Sequence, residues 1–318
     1  MSNAPQNGLL DRVAAGPISW GVCEVPGWGL QLEPDRVLAE MHELGITAAE
    51  AGPDGWLGTD PREARRLLET HGLRLVGGFL GVVLHDPEQL EASLARVRRT
   101  ARLFAEAGGE ILCSAVVVDE DWSPRFELTE AQWKQVADGL QRVGATAAEE
   151  GVRHVLHPHW QTLVERDEDV RRILEISDVE LCLDTGHLTL GQCDPLELAR
   201  SHSERIGHIH LKDVDGGVAK RLREGEVGLV TAVQQGLFRP LGDGDVDVGA
   251  VVDELDHGGY AGWYVLEQDV ALLEAPPPGS GPIRDVRRSI EFLGAGREVT
   301  RDDHLRAEGP PKRPIPHR

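Results

Sequence analysis

The sequence lacks the features that indicate a membrane, secreted or nucleic-acid-binding protein. Its 318 residues contain no run of about eighteen uninterrupted apolar residues, which argues against a membrane-spanning helix. The first residues, "MSNAPQNGLLDRVAAG", lack the basic start and the apolar block of a signal peptide. Basic side chains are scarce, because 33 lysines and arginines stand against 54 acidic residues. The resulting net charge of −21 disfavours binding to a nucleic-acid backbone or to an anionic membrane.

Cysteine is also rare, and its spacing indicates no paired motif. The four cysteines are Cys23, Cys113, Cys182 and Cys193, and none forms a C-x-x-C pair. Two of them lie in apolar runs that are typical of buried strands. We therefore expect reduced thiols that behave as small hydrophobic residues in a cytoplasmic protein.

The sequence does contain a regular alternation of short apolar runs and helical patterns. The runs are rich in Val, Ile and Leu, and each is followed by a segment with helical spacing of its apolar residues. They occupy residues 17–22, 47–52, 74–84, 110–118, 152–159, 179–187, 207–214 and 262–269. Strands that are apolar throughout and alternate with helices indicate a parallel sheet that is covered by helices.

This alternation predicts a single α/β domain, a closed (β/α)8 TIM barrel. The barrel is expected to span residues 17–297, after an N-terminal extension of residues 1–16. A charged and proline-rich tail, residues 298–318, is expected to be disordered. The alternative is an open, doubly wound sheet. It is disfavoured because no G-x-G-x-x-G follows the first strand and no G-x-x-x-x-G-K-[ST] occurs in the chain.

Polar residues follow the apolar runs at the ends of five predicted strands. In such barrels the reactive groups lie at the carboxyl ends of the strands. The residues at these ends are Glu50, His157, His159, Asp184, His187, His208, His210, Lys212 and Glu267. Residues two apart on a strand share a face, and buried charges are costly unless they are paired or bound to a metal. The pattern therefore predicts a metal site at this end of the barrel.

Several of these residues also have structural interpretations. For His208 we favour a structural role, because it can lie deeper in the barrel. His154 precedes the apolar centre of its strand, which favours a structural or solvated side chain. His187 follows Asp184 in "DTGH", which is equally compatible with a simple Asx turn. Lys212 either forms a strand-end ion pair with Asp213 or steadies an oxyanion.

Carboxylates and imidazoles, with no thiolate nearby, favour Mn²⁺, Mg²⁺, Co²⁺ or Zn²⁺ over an iron–sulfur centre. Such an ion can chelate a ketone and the neighbouring hydroxyl, and so acidify the carbon between them. A base then removes that proton to give an enediolate. Return of the proton to another carbon gives isomerisation, and its return to the other face of the same carbon gives epimerisation. Loss of a hydroxide from the next carbon gives dehydration. The residues alone leave these outcomes open.

The segments "LCLDTGHLTLGQCDP", "RIGHIHLKDV", "PLGDGDVDVGAVVDEL" and "GYAGWYVLEQD" resemble the sugar isomerase/epimerase-like, or xylose isomerase-like, TIM barrels. Within that superfamily they are most similar to the inosose dehydratase branch. The likeness extends from about residue 17 to the last helix. Two segments differ from that branch: the loop after the first strand has "EVPGWGLQL", and Gln161 stands where glycine is common.

The resemblance implies roles for particular residues. Asp184, His210 and Glu267 match metal ligands. His157 stands where isomerase relatives have a glutamate ligand, so the fourth ligand is His157, with His159 or a water as alternatives. Lys212 matches a residue that binds or polarises the keto oxygen. The implied proton-transfer residues are His157, His159 and Glu267, and the implied substrate-binding residues are Trp20, Glu50 and His187. Among the divalent metals, Mn²⁺ is the first expectation, with Co²⁺, Mg²⁺ and Zn²⁺ as alternatives.

The resemblance implies a lyase that dehydrates a keto-cyclitol such as 2-keto-myo-inositol. The alternative is a metal-dependent isomerase or epimerase of a keto-sugar or an inosose. A DNA-repair nuclease is disfavoured by the net charge of −21, and a barrel without catalytic activity is disfavoured by the intact set of strand-end residues. The expected partner is a small polyol or keto-sugar, with no nucleic acid and no membrane. Whether the chain forms a homo-oligomer is left open.

Overall fold

Eight parallel strands form a closed barrel in the computed structural model, which describes residues 8–307 and, for side chains, residues 8–295. The barrel strands are β1 (Val13–Ala15), β2 (Ala48–Glu50), β3 (Arg74–Val82), β4 (Ile111–Val116), β5 (Arg153–Leu156), β6 (Glu180–Asp184), β7 (Ile206–Leu211) and β10 (Tyr264–Leu266). Each strand pairs with its sequence neighbour, and β10 closes the barrel between β7 and β1. The predicted (β/α)8 barrel is confirmed.

Helices cover the outside of the barrel. They are α1 (Pro34–Glu43), α2 (Pro61–Thr70), α3 (Pro87–Ala107), α4 (Glu130–Glu149), α5 (Asp167–Ile176), α6 (Thr185–Leu190), α7 (Pro195–Ser201), α8 (Gly216–Arg223), α9 (Leu229–Gln234), α10 (Val248–His257) and α11 (Pro282–Ala307). Thr129 caps α4, because its hydroxyl accepts from the N–H of Gln132 and the Gln132 side chain accepts from the N–H of Thr129. Among the described residues, no helix is both long and apolar enough to cross a membrane.

The first strand differs from its predicted position. It is Val13–Ala15, inside the predicted N-terminal extension, and it pairs in parallel with β10 through Ala14 and Val265. The predicted strand, 17–22, instead begins with a short 3₁₀ helix, Pro17–Trp20, that ends at Gly21 with φ of +83°. Pro17 has no N–H for a sheet hydrogen bond, so pairing along β1 stops before it. Residues 1–7 lie outside the described residues.

A separate two-stranded antiparallel sheet lies in the segment between β7 and α10. It consists of β8 (Asp213–Val214) and β9 (Phe238–Arg239). The Asp213 carboxylate accepts from the backbone N–H groups of Gly242, Gly244 and Val246. Asp213 therefore anchors this loop, and it does not form the ion pair with Lys212 that one interpretation of the sequence suggested.

The last helix is longer than the sequence predicts. α11 continues to Ala307, past the predicted end of the barrel at residue 297. Residues 308–318, the remainder of the predicted tail, lie outside the described residues.

Inside the barrel, apolar residues lie beneath the polar strand ends. Ala14, Ala48, Val76 and Val265 form one buried cluster. Cys113, Val155 and Cys182 form another. Such layers of side chains fill the interior of a TIM barrel and leave the chemistry to its upper end.

His154, on β5, is expected to make the stability of the fold depend on pH. Its Nε2 lies 2.8 Å from the Oγ of Ser114, and burial lowers the pKa of His154 from 6.5 to about 4. Between these two values the unfolded chain binds the proton and the folded chain does not. The contribution of His154 is therefore complete above pH 6.5 and is lost as the pH falls towards 4. We expect this loss to reach about 3 kcal/mol.

The measurement is urea unfolding of the wild type and of His154→Gln at pH 7 and pH 4.5. The free energy of unfolding should fall further for the wild type than for the variant between these pH values. An equal fall in both proteins would mean that His154 does not carry this dependence.

Candidate active site and metal centre

A cavity opens at the carboxyl ends of the barrel strands. It encloses about 690 Å³, including the space that is open to solvent at its mouth. Six of the residues predicted to carry the chemistry line it, namely Glu50, His157, His159, His210, Lys212 and Glu267. The structure thus brings together side chains from β2, β7 and the segments that follow β5, β7 and β10.

The four predicted metal ligands form one compact group. The ligand atoms of His157, Asp184, His210 and Glu267 all lie within 4.8 Å of one another, and all four residues are buried. Asp184 Oδ2 lies 3.3 Å from His157 Nε2 and 3.6 Å from His210 Nδ1. His210 Nδ1 lies 3.1 Å from Glu267 Oε2. These are distances between atoms that can share one ion.

Two of these ligand atoms are buried without a hydrogen bond. Among the residues with described side chains, Asp184 Oδ2 and His210 Nδ1 have no partner at hydrogen-bonding geometry, although opposite charges lie close to both. Buried polar atoms are usually satisfied, and a cation bound between Asp184 Oδ2 and His210 Nδ1 would satisfy both atoms. The donor set of two carboxylates and two imidazoles fits a divalent cation.

Asp184 has two roles because its oxygens have different environments. It ends β6 and precedes α6, so its Oδ1 accepts from the N–H groups of Gly186 and His187 at 2.9 and 2.7 Å. This N-cap fixes the carboxylate and directs Oδ2 toward the other ligands. The predicted Asx-type contact in "DTGH" is therefore present, and it serves to orient the ligand.

The histidine ligands are held by contacts to their second ring nitrogens. His157 Nδ1 lies 2.8 Å from the carbonyl oxygen of Pro158, which can only accept, so Nε2 carries the lone pair. His210 Nε2 lies 3.1 Å from Glu50 Oε1, which leaves Nδ1 to face Asp184 and Glu267. A carboxylate behind a metal-binding histidine fixes its orientation and tautomer.

Glu50, predicted to bind substrate, therefore also orients one of the predicted metal ligands, His210. Its Oε1 also lies 2.9 Å from His208 Nε2, and the side chains of Glu50, His208 and His210 are all buried. The contact satisfies His208 inside the barrel, in agreement with the structural role favoured from its position.

Lys212 lies beside the carboxylates of the predicted metal ligands Asp184 and Glu267. Its Nζ is 2.7 Å from Asp269 Oδ1, 3.1 Å from Glu267 Oε2 and 3.4 Å from Asp184 Oδ2. Burial opposes its charge, but Asp184, Asp269 and Glu267 outweigh burial and hold the pKa of Lys212 well above its usual range. Lys212 is therefore a cationic donor rather than a base.

His159 and His187 stack together, with ring centroids 3.7 Å apart. Burial, with smaller contributions from His157 and Lys212, lowers the pKa of His159 well below its usual range. Burial likewise lowers the pKa of His187, with His159 and Lys212 adding to the effect. Both rings are therefore neutral, and His159 lines the cavity. His187 lies behind it, with Nε2 3.0 Å from Lys212 Nζ.

Trp20 does not lie at the cavity, where the sequence placed it. Its side chain is fully buried and is not part of the cavity wall. The indole N–H donates to Glu40 Oε2 on α1 at 2.9 Å, so this buried polar group is satisfied within the core.

Sequence reasoning missed Asp269 and the loop after β1. Asp269 is buried, lines the cavity and binds Lys212. Burial raises the pKa of Asp269 to about 6, although Lys212 opposes this. Its position two residues after Glu267 is the signal that indicates a shared face. From the loop "EVPGWGLQL", Glu24, Val25 and Trp28 also line the cavity.

Gln161 occupies a backbone conformation that favours glycine. Its φ is +65°, in the left-handed region, and its N–H donates to Glu165 Oε2 at 2.7 Å. This explains why glycine suits that position in the segments that this one resembles.

The expectation that no thiolate-forming residue lies near the metal site is wrong. Cys113 Sγ, Cys182 Sγ and a ring nitrogen of His210 lie within 4.8 Å of one another. Cys182 precedes Asp184 by two residues, so the alternation of side chains on β6 places both toward the barrel interior.

Comparison with known proteins places this geometry in a family. The inosose dehydratase of Geobacillus kaustophilus (strain HTA426) is 35% identical over 298 residues, which cover 89% of this chain and 93% of that protein. The rhizopine catabolism protein MocC of Rhizobium meliloti is 30% identical over 285 residues, or 86% of each chain.

Among solved structures, that of an L-ribulose 3-epimerase superposes with a TM-score of 0.68. It has 19% sequence identity, covering 95% of this chain and 99% of that one. A family model described as "Xylose isomerase-like TIM barrel" matches residues 38–295. The resemblance inferred from the strand-end motifs is therefore confirmed: the chain belongs to the xylose isomerase-like TIM barrel family.

Proposed function

We propose that the protein is a metal-dependent hydro-lyase that removes water from a keto-cyclitol such as 2-keto-myo-inositol. The observation that carries the proposal is the group formed by His157, Asp184, His210 and Glu267, whose ligand atoms lie within 4.8 Å of one another. The names of the relatives support the choice of substrate, because the chain is 35% identical to a protein named inosose dehydratase. The substrate would accordingly be a small polyol with a ketone, bound in the cavity that His159 and Lys212 line.

The ion would be held by His157, Asp184, His210 and Glu267. It would supply Lewis acidity to the ketone and the adjacent hydroxyl of the substrate. We assign Mn²⁺ first, because carboxylate and imidazole donors suit it. The same donors also accommodate Co²⁺, Mg²⁺ or Zn²⁺.

Lys212 would donate a hydrogen bond to the keto oxygen, where negative charge develops as the α-proton leaves. Its ammonium group is held by Asp269 at 2.7 Å, so the donor is oriented before the substrate arrives. Asp269 is in this interpretation a positioning residue.

His159 would remove the proton from the carbon next to the ketone. Its Nδ1 lies 2.7 Å from the carbonyl oxygen of Trp160, so the N–H is at Nδ1 and the lone pair is at Nε2. His159 would then deliver the same proton to the hydroxyl on the next carbon. That hydroxyl leaves as water, a carbon–carbon double bond forms, and the enol product tautomerises to a dione.

The four cysteines are free thiols in the structure. Free buried thiols suit a reducing compartment, and the proposal therefore includes a cytoplasmic location.

The test is an ultraviolet progress curve with 2-keto-myo-inositol on metal-stripped protein, with and without added Mn²⁺. The proposal predicts a metal-dependent rise in absorbance from the dione, and no rise for Asp184→Asn. A repeat in D₂O identifies the alternative outcome. If the absorbance stays flat while deuterium enters the substrate at the α-carbon, the protein is an isomerase or epimerase, and the lyase proposal is wrong.

A further inference from the structure

Two cysteines lie directly beneath the metal-binding group. Cys113 on β4 and Cys182 on β6 are fully buried and pack with Val155 in the barrel interior. Neither thiol is exposed to solvent, and the ring of His210 lies next to both. All three ligand atoms lie within 4.8 Å of one another.

The spacing suits a shared ion rather than a disulfide. β5 lies between β4 and β6, so the two Cα atoms are separated by two strand spacings, about 9–10 Å. Cysteines with Cα atoms more than about 7 Å apart do not form a disulfide without backbone movement. Around a zinc-like ion, sulfur and nitrogen donors lie roughly 2.0–2.3 Å from the metal, so small side-chain rotations bring these three atoms to bonding distance.

We propose that Cys113, Cys182 and His210 form a second binding site, specific for soft divalent cations such as Cd²⁺ and Zn²⁺. Thiolates prefer soft ions, whereas the carboxylates of Asp184 and Glu267 prefer hard ions such as Mn²⁺. Binding would release the two thiol protons to solvent, and water would complete a tetrahedral coordination. The barrel therefore contains a hard site above and a soft site below.

The two sites share one residue, so an ion bound at the lower site would weaken metal binding at the upper site. His210 belongs to both groups of ligands. An ion held by the two sulfurs would draw the imidazole away from Asp184 and Glu267, and so weaken the upper site. Soft cations should therefore act as inhibitors that compete with Mn²⁺, in addition to any direct exchange at the upper site.

The test is a titration of the metal-stripped full-length protein with Cd²⁺, followed by the ultraviolet charge-transfer absorption of cadmium–thiolate bonds. We expect one equivalent of Cd²⁺ to produce the band in the wild type. Cys113→Ser and Cys182→Ser should each lose it. Cys23→Ser and Cys193→Ser are matched controls that should keep it, because neither thiol belongs to this group of ligands: Cys23 lies in the loop after β1, and Cys193 lies after α6, near Asp167.

Several outcomes would overturn the proposal. These are no band in the wild type, a band that persists in both Cys113→Ser and Cys182→Ser, or a band that disappears in Cys23→Ser. Thermal melting of each variant checks the fold, and Cys113→Ala and Cys182→Ala replace any serine variant that unfolds. Because the readout is metal binding, the result does not depend on whether the lyase reaction is correct.

Discussion

Replacing Asp184 by asparagine should lower the affinity for the activating metal by more than about 100-fold, because loss of even an outer-shell partner of a metal ligand costs 10–100-fold. Metal-dependent turnover should fall by about 10³-fold, the equivalent of about 4 kcal/mol of lost Lewis-acid stabilisation. Asparagine retains an oxygen that can cap α6 in place of Oδ1. It removes the negative charge beside His157 Nε2 and His210 Nδ1.

The comparison with Asp184→Ala separates the two roles of this carboxylate. Alanine also removes the cap, so it should cost about 1 kcal/mol more in the free energy of unfolding than asparagine does. The metal affinity of the two variants should be similar. Isothermal titration with Mn²⁺ measures the metal affinity of each variant, and thermal melting measures its stability. If the asparagine variant kept wild-type affinity for Mn²⁺, Asp184 would not be a ligand.

The clustering of the four proposed metal ligands could be predicted because each ends or follows a buried strand. His157, Asp184, His210 and Glu267 each come at the end of an apolar run, and a parallel barrel places all such ends on one face. The contacts that orient them could not be predicted. Asp184 uses one oxygen for a helix cap and the other for the site, and His210 is held by Glu50, 160 residues away.

Two other features could not be predicted from the sequence, because they depend on the three-dimensional packing. Trp20 follows β1, and the sequence pattern is the same for a core residue and for a cavity residue. Only the approach of α1, with Glu40, places it in the core. Cys182 had the alternation needed to predict its interior position. Its partner Cys113 comes from a strand that is not its neighbour, and such a cross-barrel contact leaves no local signal.

Replacing Lys212 by methionine should separate catalysis from metal binding. Loss of one preorganised donor to a developing oxyanion typically lowers turnover by 10²–10³-fold, and we expect about this decrease in kcat. The affinity for Mn²⁺ should rise, because the variant removes a cation that lies 3.1 and 3.4 Å from Glu267 and Asp184. Lys212 stays protonated in the folded protein, since Asp184, Asp269 and Glu267 hold its pKa above the usual range against the effect of burial. The wild-type pH–rate profile should therefore show no basic limb from this residue.

The measurement is kcat and the dissociation constant for Mn²⁺, taken together on Lys212→Met and on a matched variant. Lys220→Met removes an exposed lysine of α8, which pairs only loosely with Glu224 at 3.8 Å, and it should leave both quantities unchanged. Lys212→Arg keeps the charge with a different shape, so it should retain the weaker wild-type affinity for Mn²⁺ while kcat stays low. A fall in both kcat and Mn²⁺ affinity for Lys212→Met would mean that Lys212 holds the site together structurally. A fall in kcat alone, with tighter metal binding, is the result that identifies it as the donor to the substrate.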